Sequence, residues 1–131
     1  MIYNGVFLLE PSVLMEWWVS SGLPVSAEAD VKCSHITSYF RPKGEDKSLP
    51  YGEGRGVKVV GFSHTPQIAA VVVEVDIPSK NNIKHITVWV DGVSPAKSNG
   101  LLEAGYTDID GPLLKGIVGY FSGKEVVTSA Q

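Results

Sequence analysis

The triplet His-Ile-Thr occurs twice in this chain, at His35–Thr37 and again fifty positions later at His85–Thr87. The chain has three histidines, and two of them open these triplets. Each copy has a lysine shortly upstream, Lys32 and Lys84, and an aromatic residue four positions after the histidine, Tyr39 and Trp89. Each also lies in a run with strand character, Ser34 to Phe40 and Ile83 to Val90. In a strand, alternate side chains share a face. Ile36 and Ile86 should therefore enter a core. His35 and Thr37 should point the other way, as should His85, Thr87 and Trp89. A fold that sets two such strands side by side gains a pocket with two imidazoles and two hydroxyls.

The 131 residues suit a single domain spanning 1–131, long enough for a real core. A hydrophobic content of 44% argues against disorder. A net charge of -3 and a pI near 5.5 argue against a broad surface tracking long duplex nucleic acid. A small nucleotide or one RNA end needs only a local patch and stays open as a partner. The single cysteine, Cys33, cannot form an internal disulfide and fits a reducing, cytoplasmic compartment. It stands two residues before His35. A buried, inert thiol is the plainer reading, a nucleophile the sharper one. The start lacks the basic region and apolar run of a signal peptide. No apolar run approaches the roughly 20 residues of a membrane-spanning helix, so no membrane partner is expected.

Along the chain, Tyr3 to Glu10 is largely apolar and predicts a central strand. Pro11 and Ser12 then suit a helix start, with Gly22 and Pro24 as its stop. Val13, Leu14, Trp17 and Trp18 recur at helical spacing and should cover a sheet face. A base-stacking platform is the alternative for the tryptophans. Leu23 to Asp30 predicts a loop, and Lys32 to Phe40 the first motif strand. Arg41 to Arg55, rich in Pro, Gly and mixed charge, is the least structured stretch. It leaves directly from the motif strand, so it is either a solvated connection or a flap, with Arg41 the best candidate for a phosphate-binding cation.

Gly56–Ser63 and Ile68–Asp76 predict a hairpin around His64, which should be an exposed bystander. Pro78–Asn82 predicts a polar turn before the second motif strand. Ser94, preceding Pro95, predicts a cap for a short helix through Leu102. Alternatively, Ser94 and Ser98 lend hydroxyls and backbone N–H groups to a phosphate. Gly111–Phe121 and Lys124–Thr128 predict a last hairpin, with frayed terminal residues beyond it. The order predicts an α+β fold with two related but unequal halves.

Cleaving a phosphodiester takes a base for the attacking oxygen and an acid for the leaving one. Histidine titrates near neutral pH and serves as either. A hydroxyl two residues along each strand can donate to a nonbridging oxygen as charge develops there. A metal hydrolase needs three or more ligands. Only His35 and His85 converge plausibly and no carboxylate repeats beside them, so neither a metal nor another cofactor is expected.

His35-Ile36-Thr37-Ser38 and His85-Ile86-Thr87-Val88 resemble the paired His-x-Thr/Ser-x motifs of the 2H phosphoesterase superfamily. Ser38 departs from the pattern, being polar where the family prefers an apolar residue. The resemblance implies two pseudo-symmetric β-rich lobes, helices outside, with a cleft between the motif strands. It implies metal-independent phosphodiesterase activity on 2′,3′-cyclic phosphates, RNA ends or small cyclic nucleotides. Phage-type members that degrade cyclic nucleotide immune signals are a variant of the same expectation. His35 and His85 become the acid–base pair, and Thr37 and Thr87 the phosphate donors. Tyr39, Trp89, Arg41, Ser94 and Ser98 become candidate substrate contacts. The rival classes are a nucleotide-binding module without turnover and a structural domain whose histidines lie far apart.

Overall fold

A computed structural model of the chain describes residues 1–129. Its strands are β1 (Tyr3–Leu8), β2 (Asp30–Val31), β3 (His35–Phe40), β4 (Gly54–His64), β5 (Ile68–Glu74), β6 (His85–Val90), β7 (Thr107–Asp108), β8 (Leu113–Phe121) and β9 (Val126–Val127). Its helices are α1 (Pro11–Ser20) and α2 (Ser98–Glu103), with 3-10 turns at Gly44–Lys47 and Pro95–Lys97. Among the described residues the nine strands form one antiparallel sheet of order β2-β6-β5-β4-β8-β1-β3, with β7 beside β4 and β9 beside β8. Together with the two helices this is the α+β class. The expected fraying of the last residues falls partly on 130–131, which lie outside the described residues.

The helix α1 starts on Pro11, whose missing N–H costs nothing in a first turn. Ser12 does not cap it: the residue before the helix is Glu10, and no side chain bonds the free N–H groups. The far end follows glycine geometry closely. Gly22 takes φ 75°. Its N–H donates to the Val19 carbonyl, and the N–H of Leu23 reaches back to Trp18, the paired bonds of a Schellman stop. Leu14 and Trp18, four apart, are buried against the sheet, whereas Val13 is 38% exposed. The buried stripe is thus narrower than the sequence spacing suggests. The core cluster joins Leu14 and Trp18 to Val6, Ile36, Val57, Val59, Val71, Ile86, Val88 and Val118.

The predicted strand from Lys32 to Phe40 is broken. Cys33 takes φ 48°, a conformation that an extended strand does not contain. Before the break the segment belongs to one end of the sheet. Asp30 and Val31 pair with Val90 and Trp89 of β6. The Lys32 N–H donates to Val88 O at 2.8 Å and the Cys33 N–H to Thr87 O at 2.9 Å. After the break it belongs to the other end, because β3 pairs with β1. The first and last strands of the sheet order are therefore one stretch of chain, and the sheet closes on itself.

Each motif strand carries a bulge at the same place. Opposite β1, Gly5 faces Thr37 and Asn4 faces Tyr39, so Ser38 has no partner. Opposite β5, Ala70 faces Thr87 and Ala69 faces Trp89, so Val88 has none. Both extra residues stand three after the histidine. A bulge inserts one residue and reverses the in–out alternation beyond it. At the first bulge the two strands approach closely: a Cβ on Gly5 would lie 1.9 Å from the Ile36 carbonyl oxygen.

Gly5→Ala should therefore force β1 and β3 apart and destabilise the fold by at least about 1–3 kcal/mol, the usual cost of overpacking. Gly100→Ala is the control, since nothing lies within 4 Å of its added Cβ. Urea unfolding should give a clearly lower midpoint for the first variant, and an unchanged or slightly higher one for the second.

Candidate active site

Within the triplets the alternation holds. Ile36 and Ile86 are 0% exposed. His35, Thr37, His85 and Thr87 instead line one cavity of about 540 Å³, together with Tyr3, Lys32, Ser34, Phe40 and Asn81. Ser94, Pro95, Ala96 and Asn99 close it on the side of α2. The closure of the sheet produces this meeting. The Cys33 N–H on the Thr87 carbonyl sets the first triplet two residues from the second.

The two imidazoles are held differently. His85 Nδ1 lies 2.8 Å from the Ile83 carbonyl oxygen. A carbonyl only accepts, so Nδ1 carries the proton and Nε2 of the neutral ring is left as an acceptor. His35 contacts two hydroxyls, Ser34 Oγ at Nδ1 (2.7 Å) and Thr37 Oγ1 at Nε2 (3.1 Å). A hydroxyl donates or accepts, so this ring is free to take either tautomer or a second proton. The Tyr3 ring at 4.5 Å and the Phe7 ring at 5.4 Å between centroids pack against it and, at 5.9 Å, against each other.

Burial and, second to it, the charge of His85 push His35 down to about 4. Burial lowers His85 as well, with the Ile83 carbonyl acting in the opposite direction. Thr87 Oγ1 sits 2.8 Å from Ser98 Oγ. Ser98 is itself fully buried, so it holds the threonine hydroxyl and does not line the cavity. Ser94 lines the cavity and also accepts from the Ala96 N–H, as a cap.

The downstream aromatics go elsewhere, and the bulges are the reason. Trp89 should by plain alternation share the cavity with His85. The extra residue Val88 turns it into the core, where it is 1% exposed. Its indole N–H donates to the Pro24 carbonyl, and so does that of Trp18. Tyr39 is likewise turned away and does not line the cavity; Phe40, one residue further, does. Arg41 does not line it either. Its guanidinium lies 5.3 Å over the Phe40 ring.

Of the two upstream lysines, Lys32 lines the cavity, while Lys84 donates to the Val75 carbonyl. The 41–55 stretch contributes no residue to the cavity lining and is tied elsewhere: Asn4 Nδ2 donates to Asp46 O at 2.7 Å, and the Gly52 N–H to Val118 O. Cys33 is buried, its thiol contacts Val88 O at 3.4 Å, and burial pushes it up to about 12, which leaves no thiolate for nucleophilic attack. His64 ends β4, exposed, and stacks on Phe62.

Tyr3, Phe40, Asn81 and Asn99 are cavity residues that the motif pattern did not single out. Tyr3 and Phe7 stand four apart on β1 and could have been found as a same-face pair. Asn81 carries no such signal. Among the described residues no three His, Cys, Asp or Glu side chains group as a metal-ligand set. No helix is long and apolar enough to cross a membrane. No family model, curated protein or solved structure matches the chain.

Trp89→Ala should behave as a core truncation, costing about 3–5 kcal/mol of stability in urea unfolding. A second outcome concerns pH. An imidazole with a lower pKa folded than unfolded takes up its proton more readily in the unfolded chain. Stability should therefore fall as pH drops from about 6.5 to about 4 and level off below that, by on the order of 3 kcal/mol for His35. His85 adds to the loss in the same direction. His35→Gln should flatten this part of the stability–pH curve.

Proposed function

We propose that the cavity holds a phosphodiester between His35 and His85 and hydrolyses it by paired acid–base catalysis without a metal, in the manner of a 2H phosphoesterase. The substrate is a 2′,3′-cyclic phosphate, an RNA end or a small cyclic nucleotide. One observation carries the reading: the two rings line one cavity, and the proton on His85 Nδ1 is fixed by Ile83 so that Nε2 is a ready acceptor. His85 is then the base and His35 the acid. The matched bulges and registers of β1–β3 and β5–β6 support a pseudo-symmetric pair of lobes around that cavity.

A water oxygen attacks phosphorus as its proton passes to His85 Nε2. The scissile P–O bond breaks as the departing oxygen takes a proton from His35. One water is consumed, a phosphomonoester and a hydroxyl form, and the proton on His85 returns through solvent to His35. Thr37 and Thr87 donate to the nonbridging oxygens, on which charge accumulates. The free protein holds His35 mostly neutral at pH 7. A phosphate anion between the rings favours their charged forms and raises both pKa values. Substrate binding thus loads the acid. The same low pKa favours the runner-up, a module that binds nucleotides without turnover, if the bound anion fails to protonate His35.

With purified protein and a panel of 2′,3′-cyclic nucleotides, RNA ends and cyclic dinucleotides, mass spectrometry should show phosphomonoester products, undiminished by chelator. His35→Ala and His85→Ala should each lower kcat by about 10²–10⁴, Thr37→Ala and Thr87→Ala by less, with all four variants folded. The pH profiles should be bell-shaped, with apparent values belonging to the pair. The kcat/KM optimum, which reports the free protein, should lie below that of kcat, because the bound anion shifts both limbs upward. Both histidine variants turning over substrate at the parental rate would sink the catalytic reading.

A further inference from the structure

The cavity extends beyond the histidines in one direction, and what stands there is an exposed aromatic ring beside an unused carboxamide. Phe40 is 66% exposed although Arg41 lies over its ring. A single exposed apolar side chain marks nothing by itself, and Leu113 is more open still; what sets Phe40 apart is that it lines the cavity of the two histidines. Phe40 pairs across the sheet with Tyr3, whose ring in turn contacts the His35 imidazole. In that register Phe40 stands four pairs along β1 from His35, roughly 13 Å, so a nucleoside whose phosphate lies between the histidines would run past Tyr3 to reach it.

Asn81 lines the same cavity. Its loop is tied to β3 by two bonds and braced by a third within the loop. Ser79 Oγ donates to Thr37 O at 2.8 Å, the Lys80 N–H to Ser38 O at 2.9 Å, and the Asn81 N–H to Ser79 Oγ at 3.1 Å. The loop thus rides on the strand that carries His35 and Phe40. Other amides nearby are engaged: Asn99 with Ala96 O, Asn82 with Glu103, and Asn4 with Asp46 O. Among the described residues the Asn81 carboxamide has no hydrogen-bond partner.

We infer that Phe40 and Asn81 form a nucleobase subsite, with the base stacked on Phe40 and its edge read by the Asn81 carboxamide, and that the base is adenine. The inference rests on the phosphodiester reading for the direction in which the nucleoside runs. A carboxamide offers one donor and one acceptor side by side. Adenine answers that pattern on two edges clear of the ribose, N6 with N7 and N6 with N1; guanine has one such edge, N1–H with O6, because its second pair, N2–H with N3, lies against the ribose, and cytosine has one. Uracil also has two such edges, but its single ring offers less surface to stack on Phe40. Stacking on an aromatic side chain holds any base, and a bidentate amide contact selects among them.

The test is calorimetric titration of the intact protein with adenosine, guanosine, cytidine and uridine 3′-monophosphates, which needs no turnover. Adenosine monophosphate should bind tightest. Asn81→Ala should collapse the preference by between about 5-fold and 150-fold. Phe40→Leu should weaken all four ligands by a similar factor, again about 5- to 150-fold. Both side chains sit at the cavity rim, and circular dichroism should show both variants folded. No binding of any nucleotide, another base preferred, an unchanged preference in Asn81→Ala, or unaltered affinities in Phe40→Leu would each overturn the subsite. Adenine-selective binding with no turnover of any phosphodiester would leave the subsite standing and remove the catalytic reading. Turnover without base preference would do the reverse.

Discussion

Two backbone hydrogen bonds bring the two His-Ile-Thr triplets together: Lys32 N–H on Val88 O and Cys33 N–H on Thr87 O. In the sheet order β3 and β6 are separated by four strands. Lying flat, such a sheet would carry its two His-Ile-Thr triplets at opposite margins, too far apart to share a ligand. The kink at Cys33 lets one segment pair with β6 and then, a few residues on, with β1. The loop at 79–81 makes a second tie across the same seam through the Ser38 and Thr37 carbonyls. The triplet strands contribute only backbone groups to these ties, so the side chains of both triplets are left for the cavity and the core.

The cavity sets two demands against each other. Stacking Tyr3 and Phe7 on His35 orders the ring but removes water from it, and a dehydrated imidazole resists protonation. The neighbouring His85 resists it further. The free protein favours two neutral rings, because a proton on His35 would be poorly solvated and would face the charge of a protonated His85. An anion relieves both constraints together. Affinity for anions and readiness to hold a proton are thus one property of this pocket.

Much of this was legible in the residues. The doubled triplet marked the two strands, and strict alternation placed Ile36 and Ile86 in the core. Pro11 and Gly22 bounded α1, and the hairpin of β4 and β5 followed from its apolar runs. What was not legible depended on partners distant in the chain. A bulge is a property of a strand pair, so Ser38 and Val88 give no warning of it. Alternation extrapolated past each bulge therefore sent Tyr39 and Trp89 to the wrong face and passed over Phe40. Gly5, where the Ile36 carbonyl occupies the space a Cβ would need, is the clearest trace of the first bulge, and it stands 33 positions before Ser38 in the chain. Asn81 was hidden for the same reason: a polar turn shows nothing of the strand it will be tied to.

The closure of the sheet also bears on how the chain reaches this state. The contacts at Cys33 and Thr87 join residues more than fifty positions apart. Their loop entropy is not recovered until the strands between them, β4, β5 and β6, have formed and curled. Each hairpin and α1 can assemble from near neighbours, but the seam cannot. A partly folded chain would thus possess most of its secondary structure, and much of its core, while having no pocket at all. Ligand binding would return later in refolding than the burial of Trp18, which makes the site a timer for completion of the fold.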